Sequence, residues 1–196
     1  TRHITNGEYN FQLGTKAEKE ALDNAGLKPE EIDMMVGSTI SNDFFYPSLS
    51  CMVWKGLGIE SAPCFDVSAA CAGFVYAVDV AKLYLDTGVY KNILIVSSEV
   101  LSRQVDYSDR STCVIFGDGA ASCVLTKSEG TYASSLKASP QGADKIFVKH
   151  PAPEHPFATK PYDYGYERMN EMPVDSIYMA GNDVYKFAVV AMPEVV

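Results

Sequence analysis

The run Pro63-Cys64-Phe65-Asp66-Val67-Ser68-Ala69-Ala70-Cys71-Ala72-Gly73-Phe74 constrains the fold more than any other stretch of the chain. A short apolar segment passes through small residues straight into a helical pattern, with apolar side chains at Phe74, Val78, Ala81 and Leu85. Strand, tight turn and helix in so little chain is a building block of a layered α/β domain. The same run sets Cys71 at the start of the helix. Helix N-termini offer unpaired N–H groups and the positive end of the macrodipole, an environment that favours the thiolate, the reactive form of cysteine. Ala69, Ala70, Ala72 and Gly73 leave room for a substrate carbonyl beside the sulfur. The competing role is a small buried hydrophobe, since free cysteine is commonly a core residue.

The rest of the chain repeats the alternation. Residues 15–25 read as a helix stopped by Gly26, and 32–40 as a buried strand leaving through Ser41-Asn42-Asp43. Residues 47–57 read as a helix ended by Gly58, 64–67 as the strand before the turn, and 71–86 as the long helix closed by Gly88. Residues 92–97, Asn-Ile-Leu-Ile-Val-Ser, form a continuous apolar run of the kind found in a parallel strand covered on both faces. Residues 112–126 suggest strand, glycine turn and strand, with Phe116-Gly117-Asp118-Gly119-Ala120 at the turn and Asp118 in an architectural role, accepting local N–H bonds. The expected organisation is a core over 1–137, an irregular segment over 138–175 and the start of a further helix over 176–196. The irregular segment is rich in proline and holds His150, His155, Tyr162, Tyr164 and Tyr166, a composition suited to a lid, an interface loop or a solvated loop. In the last segment Val184, Phe187, Ala188 and Ala191 share one helical face.

Charge and cysteine usage exclude several classes. A formal net charge of -9 with no basic run argues against a nucleic-acid surface. The five cysteines (Cys51, Cys64, Cys71, Cys113 and Cys123) are odd in number and contain no CxxC pair, so neither a disulfide framework nor a zinc site is expected, and no metal. With no signal-like N-terminus and no long uncharged apolar run, the expectation is a cytoplasmic protein that does not enter a membrane.

Three motifs, Asp66-Val67-Ser68-Ala69-Ala70-Cys71-Ala72-Gly73-Phe74, Phe116-Gly117-Asp118-Gly119-Ala120 and Met179-Ala180-Gly181-Asn182-Asp183-Val184-Tyr185-Lys186, occur in this order. Together they resemble β-ketoacyl-acyl-carrier-protein synthase III, the condensing enzyme that initiates type II fatty acid synthesis, in the thiolase superfamily. The resemblance implies an α/β, thiolase-like layered fold, of which this chain is mostly the N-terminal half. It implies that Cys71 accepts an acyl group from acyl-CoA, with its own N–H as part of an oxyanion hole, and that the acyl group is then condensed with malonyl-acyl-carrier protein. Acyl-CoA is a substrate in this scheme, and no resident cofactor is implied. Arg110 aligns with an arginine that contacts CoA; Gly181, Asn182 and Tyr185 align with the lining of the pantetheine channel, where the family more often has Phe at the last position. Lys186 aligns with a basic position for carrier-protein docking. Tyr46 aligns with an aromatic that crosses a homodimer interface and floors the partner's acyl pocket. The bland alternatives are a surface ion pair for Arg110, a solvated Lys186 and simple seam packing for Tyr46.

The departures bear on activity. The family's second half carries a histidine and an asparagine that activate malonyl, and none of His3, His150 and His155 matches that histidine. The chain also begins late relative to the family. The expectation is a fragment of a longer enzyme, unable to condense by itself. Within the superfamily a hydroxymethylglutaryl-CoA synthase-like, chalcone-synthase-like or ester-forming acyltransferase remains open. From another class, a non-catalytic partner subunit remains open too, although Cys71 argues against it.

Overall fold

Ile93, Leu94, Ile95 and Val96 are all fully buried, because a sheet runs through the middle of the molecule's larger unit and both of its faces are covered. The computed structural model describes residues 1–5, 7–149, 156–157, 159–161, 163–172 and 176–194. The chain divides into two compact units, Thr1–Leu101 with Gly117–Ser134, and Ser102–Phe116 with Ser135–Val196.

In the first unit, helix α1 (Asn10–Ala25) is followed by β1 (Met34–Ser38), α2 (Leu49–Leu57), β2 (Cys64–Val67), α3 (Gly73–Asp86), β3 (Asn92–Val100) and β4 (Asp118–Thr126). The sheet order is β2-β1-β3-β4. β2, β1 and β3 are parallel, and β4 runs antiparallel along β3 from Asn92↔Thr126 to Val100↔Asp118. Alternate residues of the strands feed two cores. Met35, Leu94 and Val96 meet Leu22 of α1 and Leu49, Val53 and Trp54 of α2. Met34, Val36, Ile93 and Ile95 meet Ala77, Ala81 and Leu85 of α3 on the other face. The unit is therefore helix, sheet, helix in layers, as the alternation in the sequence implies.

Several boundaries differ from the sequence reading, each for a local reason. α1 starts at Asn10, well ahead of residue 15, because the Asp43 carboxylate accepts the N–H groups of Asn10 and Phe11, both at 2.9 Å, and Gln12 Oε1 accepts that of Tyr9 at 2.9 Å. Its end at Gly26 (φ 66°) is the left-handed stop expected there, as is Gly58 (φ 77°) after α2. The helix after the turn begins at Gly73 rather than Cys71, and its buried stripe is Gly73, Ala77, Ala81 and Leu85. Phe74, expected in the core, is 38% exposed. The small residues let α3 lie close on the sheet and leave no space beneath it for a phenylalanine. Residues 112–117 are not a strand. The Asp109 carboxylate takes the Ser111 N–H and hydroxyl and the Thr112 hydroxyl (2.9, 2.7 and 2.9 Å), folding this stretch into turns, and extended structure begins only at Asp118.

The second unit contains a two-stranded antiparallel ribbon, β5 (Ile146–Phe147) with β6 (Tyr178–Met179), a short helix α4 (Glu167–Glu171) and α5 (Gly181–Ala191). Backbone bonds from Ile177 N–H to Gln104 O and from Ala180 N–H to Lys145 O, both 2.7 Å, tie the approach to α5. His150, His155 and Tyr162 lie outside the described residues. Among the described residues no helix is long and apolar enough to cross a membrane.

Candidate active site

The turn between β2 and α3 is built under backbone strain. Ala70 has φ 46°, the left-handed region that an L-residue with a Cβ enters at a cost of about 1–2 kcal/mol. Residues Ala70–Ala72 form a single 3-10 turn, with N–H bonds from Ala72 to Ala69 O and from Gly73 to Ala70 O. Cys71 sits at the centre of this turn with an exposed side chain, immediately ahead of α3. A core role for Cys71 is thereby removed. Beneath the turn, Gly73 is buried against Ser38 at the end of β1, where any Cβ on residue 73 would overlap the Ser38 hydroxyl. Gly37 in turn lies against Asp66, whose carboxylate accepts the N–H groups of Leu49 and Ser50 at 2.7 and 2.9 Å and so caps α2. The strand before the cysteine is thus held by a helix cap on one side and by glycine contacts on the other.

A second polar cluster lies at the ends of β1 and β3. The Asn10 side-chain amide donates to Thr39 Oγ1, Ser41 O and Ser98 O at 3.1 Å each, and accepts from the Ser98 hydroxyl at 2.6 Å. Glu99 accepts from Ile40 N–H at 2.9 Å, from Thr39 Oγ1 at 3.2 Å and from the Ser41 hydroxyl, while Ser41 Oγ accepts from Val100 N–H at 2.8 Å. Burial pushes the Glu99 carboxyl up, against these hydrogen bonds. The cluster fixes residues 39–43, the base of the loop that carries Phe44, Phe45 and Tyr46. Tyr46 is 87% exposed and joined to Pro47 by a cis peptide bond. Sequence reasoning singled out the loop and Tyr46 but missed Glu99 and Asn10. The one available signal was two polar residues adjoining an apolar strand and a helix start.

Asp118, placed by the sequence in an architectural role, ties distant parts of the chain together. Its Oδ2 accepts Ile4 N–H at 2.7 Å and its own N–H donates to Arg2 O at 2.8 Å, securing the start of the chain along β4. His3 pairs with the Thr1 hydroxyl at 3.1 Å.

The remaining residues singled out from the sequence belong to the second unit. Arg110 is exposed within the turns set up by Asp109. Gly181, Asn182, Tyr185 and Lys186 occupy the first half of α5, all exposed, with Tyr185 at 69%. No residue of α5 is buried. Among the described residues no group of three or more His, Cys, Asp or Glu is placed to hold a metal ion.

The layered fold recurs in known proteins. Residues 65–144 match the family described as 3-oxoacyl-[acyl-carrier-protein (ACP)] synthase III. A β-ketoacyl-[acyl-carrier-protein] synthase III from a Sulfurovum species is 39% identical over 96% of this chain and 55% of its own length. Its counterpart from Clostridium beijerinckii is 36% identical over 100% of this chain and 58% of its own length. The crystal structure of 3-oxoacyl-[acyl-carrier-protein] synthase III from Aquifex aeolicus superposes with a TM-score of 0.82 at 34% identity, over 98% of this chain and 56% of that one. Along nearly its whole length the chain is similar to β-ketoacyl-[acyl-carrier-protein] synthase III proteins. It spans a little over half the length of the synthase III relatives it matches, and within that span it has the thiolase-like layered architecture. The priming β-ketosynthase of the R1128 polyketide pathway shares the fold as well, with a TM-score of 0.79 and 29% identity over 97% of this chain and 55% of that one. A tetronic acid condensing enzyme, at 23% identity and a TM-score of 0.70, shares the fold.

Proposed function

We propose that this chain carries the acyl-accepting half of a synthase III-type condensing enzyme, with Cys71 as the nucleophile. The observation that carries the reading is an exposed cysteine on a strained turn at the head of α3, directly after the left-handed Ala70. The Cys71 thiolate attacks the thioester carbonyl of an acyl-CoA, the CoA thiolate leaves, and the acyl group stays on Sγ. The Cys71 N–H belongs to the same turn as the bonded N–H groups of Ala72 and Gly73, at the head of α3, a place suited to stabilising an oxyanion. Condensation follows when malonyl on acyl-carrier protein loses carbon dioxide: its carbanion forms the new carbon–carbon bond to the acyl carbonyl and expels the Cys71 thiolate. Residues that activate malonyl are not among those matched by the motifs of this chain.

On the same reading Arg110 contacts the CoA moiety, Gly181, Asn182 and Tyr185 line the pantetheine arm, and Lys186 contributes to docking of the acidic carrier protein. Because the chain as a whole is acidic, at -9, such a dock is local. Tyr46 reaches into the acyl pocket of a second copy in a homodimer. The test is intact mass after incubation with acetyl-CoA. A single acetyl addition that maps to Cys71, is released by hydroxylamine and is absent from Cys71→Ala is expected. Acetylation spread over several residues, or none, overturns the assignment.

A further inference from the structure

Cys64 opens β2 and Asp66 follows two positions later, so both side chains project from the same face of the strand. α2 covers that face. Asp66 receives the first N–H groups of α2, and Cys64 packs against the core cluster that holds Leu49, Val53 and Trp54. Cys51 stands in the first turn of α2, its N–H donating to the Ser48 side chain at 3.2 Å. The packing of Cys64 against α2 brings the start of β2 and the first turn of α2 together. Cys51 and Cys64 also line a single cleft of about 640 Å3, with Trp54, Ile59 and Pro63 among its other walls. Cys51 is exposed and Cys64 half-buried. Acyl transfer at Cys71 uses neither of them.

We propose that Cys51 and Cys64 form a dithiol modification site that closes to an intramolecular disulfide by exchange with a low-molecular-weight disulfide of the glutathione type. The exposed Cys51 thiolate, its proton given to solvent, attacks one sulfur of the oxidant and releases one thiolate, leaving a mixed disulfide on Cys51. Cys64 then loses its proton to solvent and attacks Cys51 Sγ, expelling the second thiolate. Two electrons pass from the protein to the oxidant, which ends as two thiols. Burial pushes the Cys64 thiol up, so the closing step quickens as pH rises. The closed bridge would tie the start of α2 to the strand that leads to the Cys71 turn.

The inference is independent of acyl transfer, and its test is carried out on the folded protein with Cys71→Ser, so that the third accessible thiol does not interfere. Treatment with oxidised glutathione is expected to give a product lighter by two hydrogen atoms, with peptide mapping joining the Cys51 and Cys64 peptides, and only a transient glutathione adduct. In Cys64→Ser, and in Cys64→Ala as an apolar replacement, the adduct on Cys51 is expected to persist at least tenfold longer. A persistent Cys51 adduct in the parent protein, or a bridge from Cys51 to Cys113 or Cys123, overturns the proposal.

Discussion

A carboxyl group deprived of hydrogen-bond donors is costly to ionise, and Glu18 of α1 is fully buried with neither side-chain oxygen bonded among the described residues. It lies on the helix face between Gly14 and Leu22, and burial alone pushes its carboxyl up to about 9. In the unfolded chain it titrates near the ordinary glutamate value of about 4.3. Below that pH both states hold the proton and there is no penalty. Between about 4.3 and 9 only the native state holds it, so stability falls with rising pH by about 1.4 kcal/mol per unit. Glu18→Gln removes this linkage. In urea melts at pH 5, 7 and 9 the variant is expected to gain on the parent as pH rises, by on the order of 3 kcal/mol at pH 7. A gap that does not change with pH would mean that Glu18 is ionised in the native state. The cysteines give a second comparison at this scale. Burial holds Cys64 and Cys123 up and half-buries Cys113, so the informative contrast for Cys71 is the exposed Cys51. Limited alkylation with iodoacetamide near neutral pH is expected to label Cys71 first, and equal labelling of Cys51 and Cys71 would remove the case for an activated thiol.

Among elements, α3 and α2 are placed by contacts that admit almost no substitution. Gly73 allows α3 to approach Ser38 of β1, and a methyl group there forces the helix, with the Cys71 turn at its head, away from the sheet. Gly73→Ala is expected to cost about 1–3 kcal/mol, read as a lowered Tm, and to slow acylation of Cys71 by acetyl-CoA. Ser38→Gly in the same chain opens the space and is expected to restore part of both. No recovery would locate the damage elsewhere. Asp66 acts on α2 from a different strand, supplying the acceptor that the helix's own sequence places only at Ser48. Asp66→Ala is expected to lower stability by about 1–2 kcal/mol in denaturant melts, the range of a lost helix cap.

For the whole molecule, the aromatic loop after β1 is the feature that reaches beyond a single copy in the proposed dimer. Tyr46, at 87% exposure, has its base fixed by the Asn10–Thr39–Ser41–Glu99 cluster, which suits a side chain meant to present a constant volume. In the enzyme of the length seen in its relatives, Tyr46→Ala is expected to shift kcat/KM towards longer acyl-CoA chains, by roughly 1–3 kcal/mol per methylene. An acyl-length profile that keeps its shape would leave Tyr46 as seam packing.

Local pattern was enough to place most of the first unit. The four residues of β2, the stops at Gly26 and Gly58, and the two-sided burial of β3 follow from periodicity, turn chemistry and glycine at left-handed positions, all of which act over a few residues. The position of Cys71 at a strand-to-helix turn was legible for the same reason. What tertiary structure decided lies in partners distant along the chain. Asp43 moved the start of α1, Asp118 reached Ile4 across the chain, and Ser38 selected Gly73 over Phe74 for the buried stripe of α3. The burial of Glu18 and the placing of Cys51 and Cys64 on one cleft were likewise invisible in sequence, because a charge pattern or a thiol spacing carries no record of which strand will lie beneath a helix.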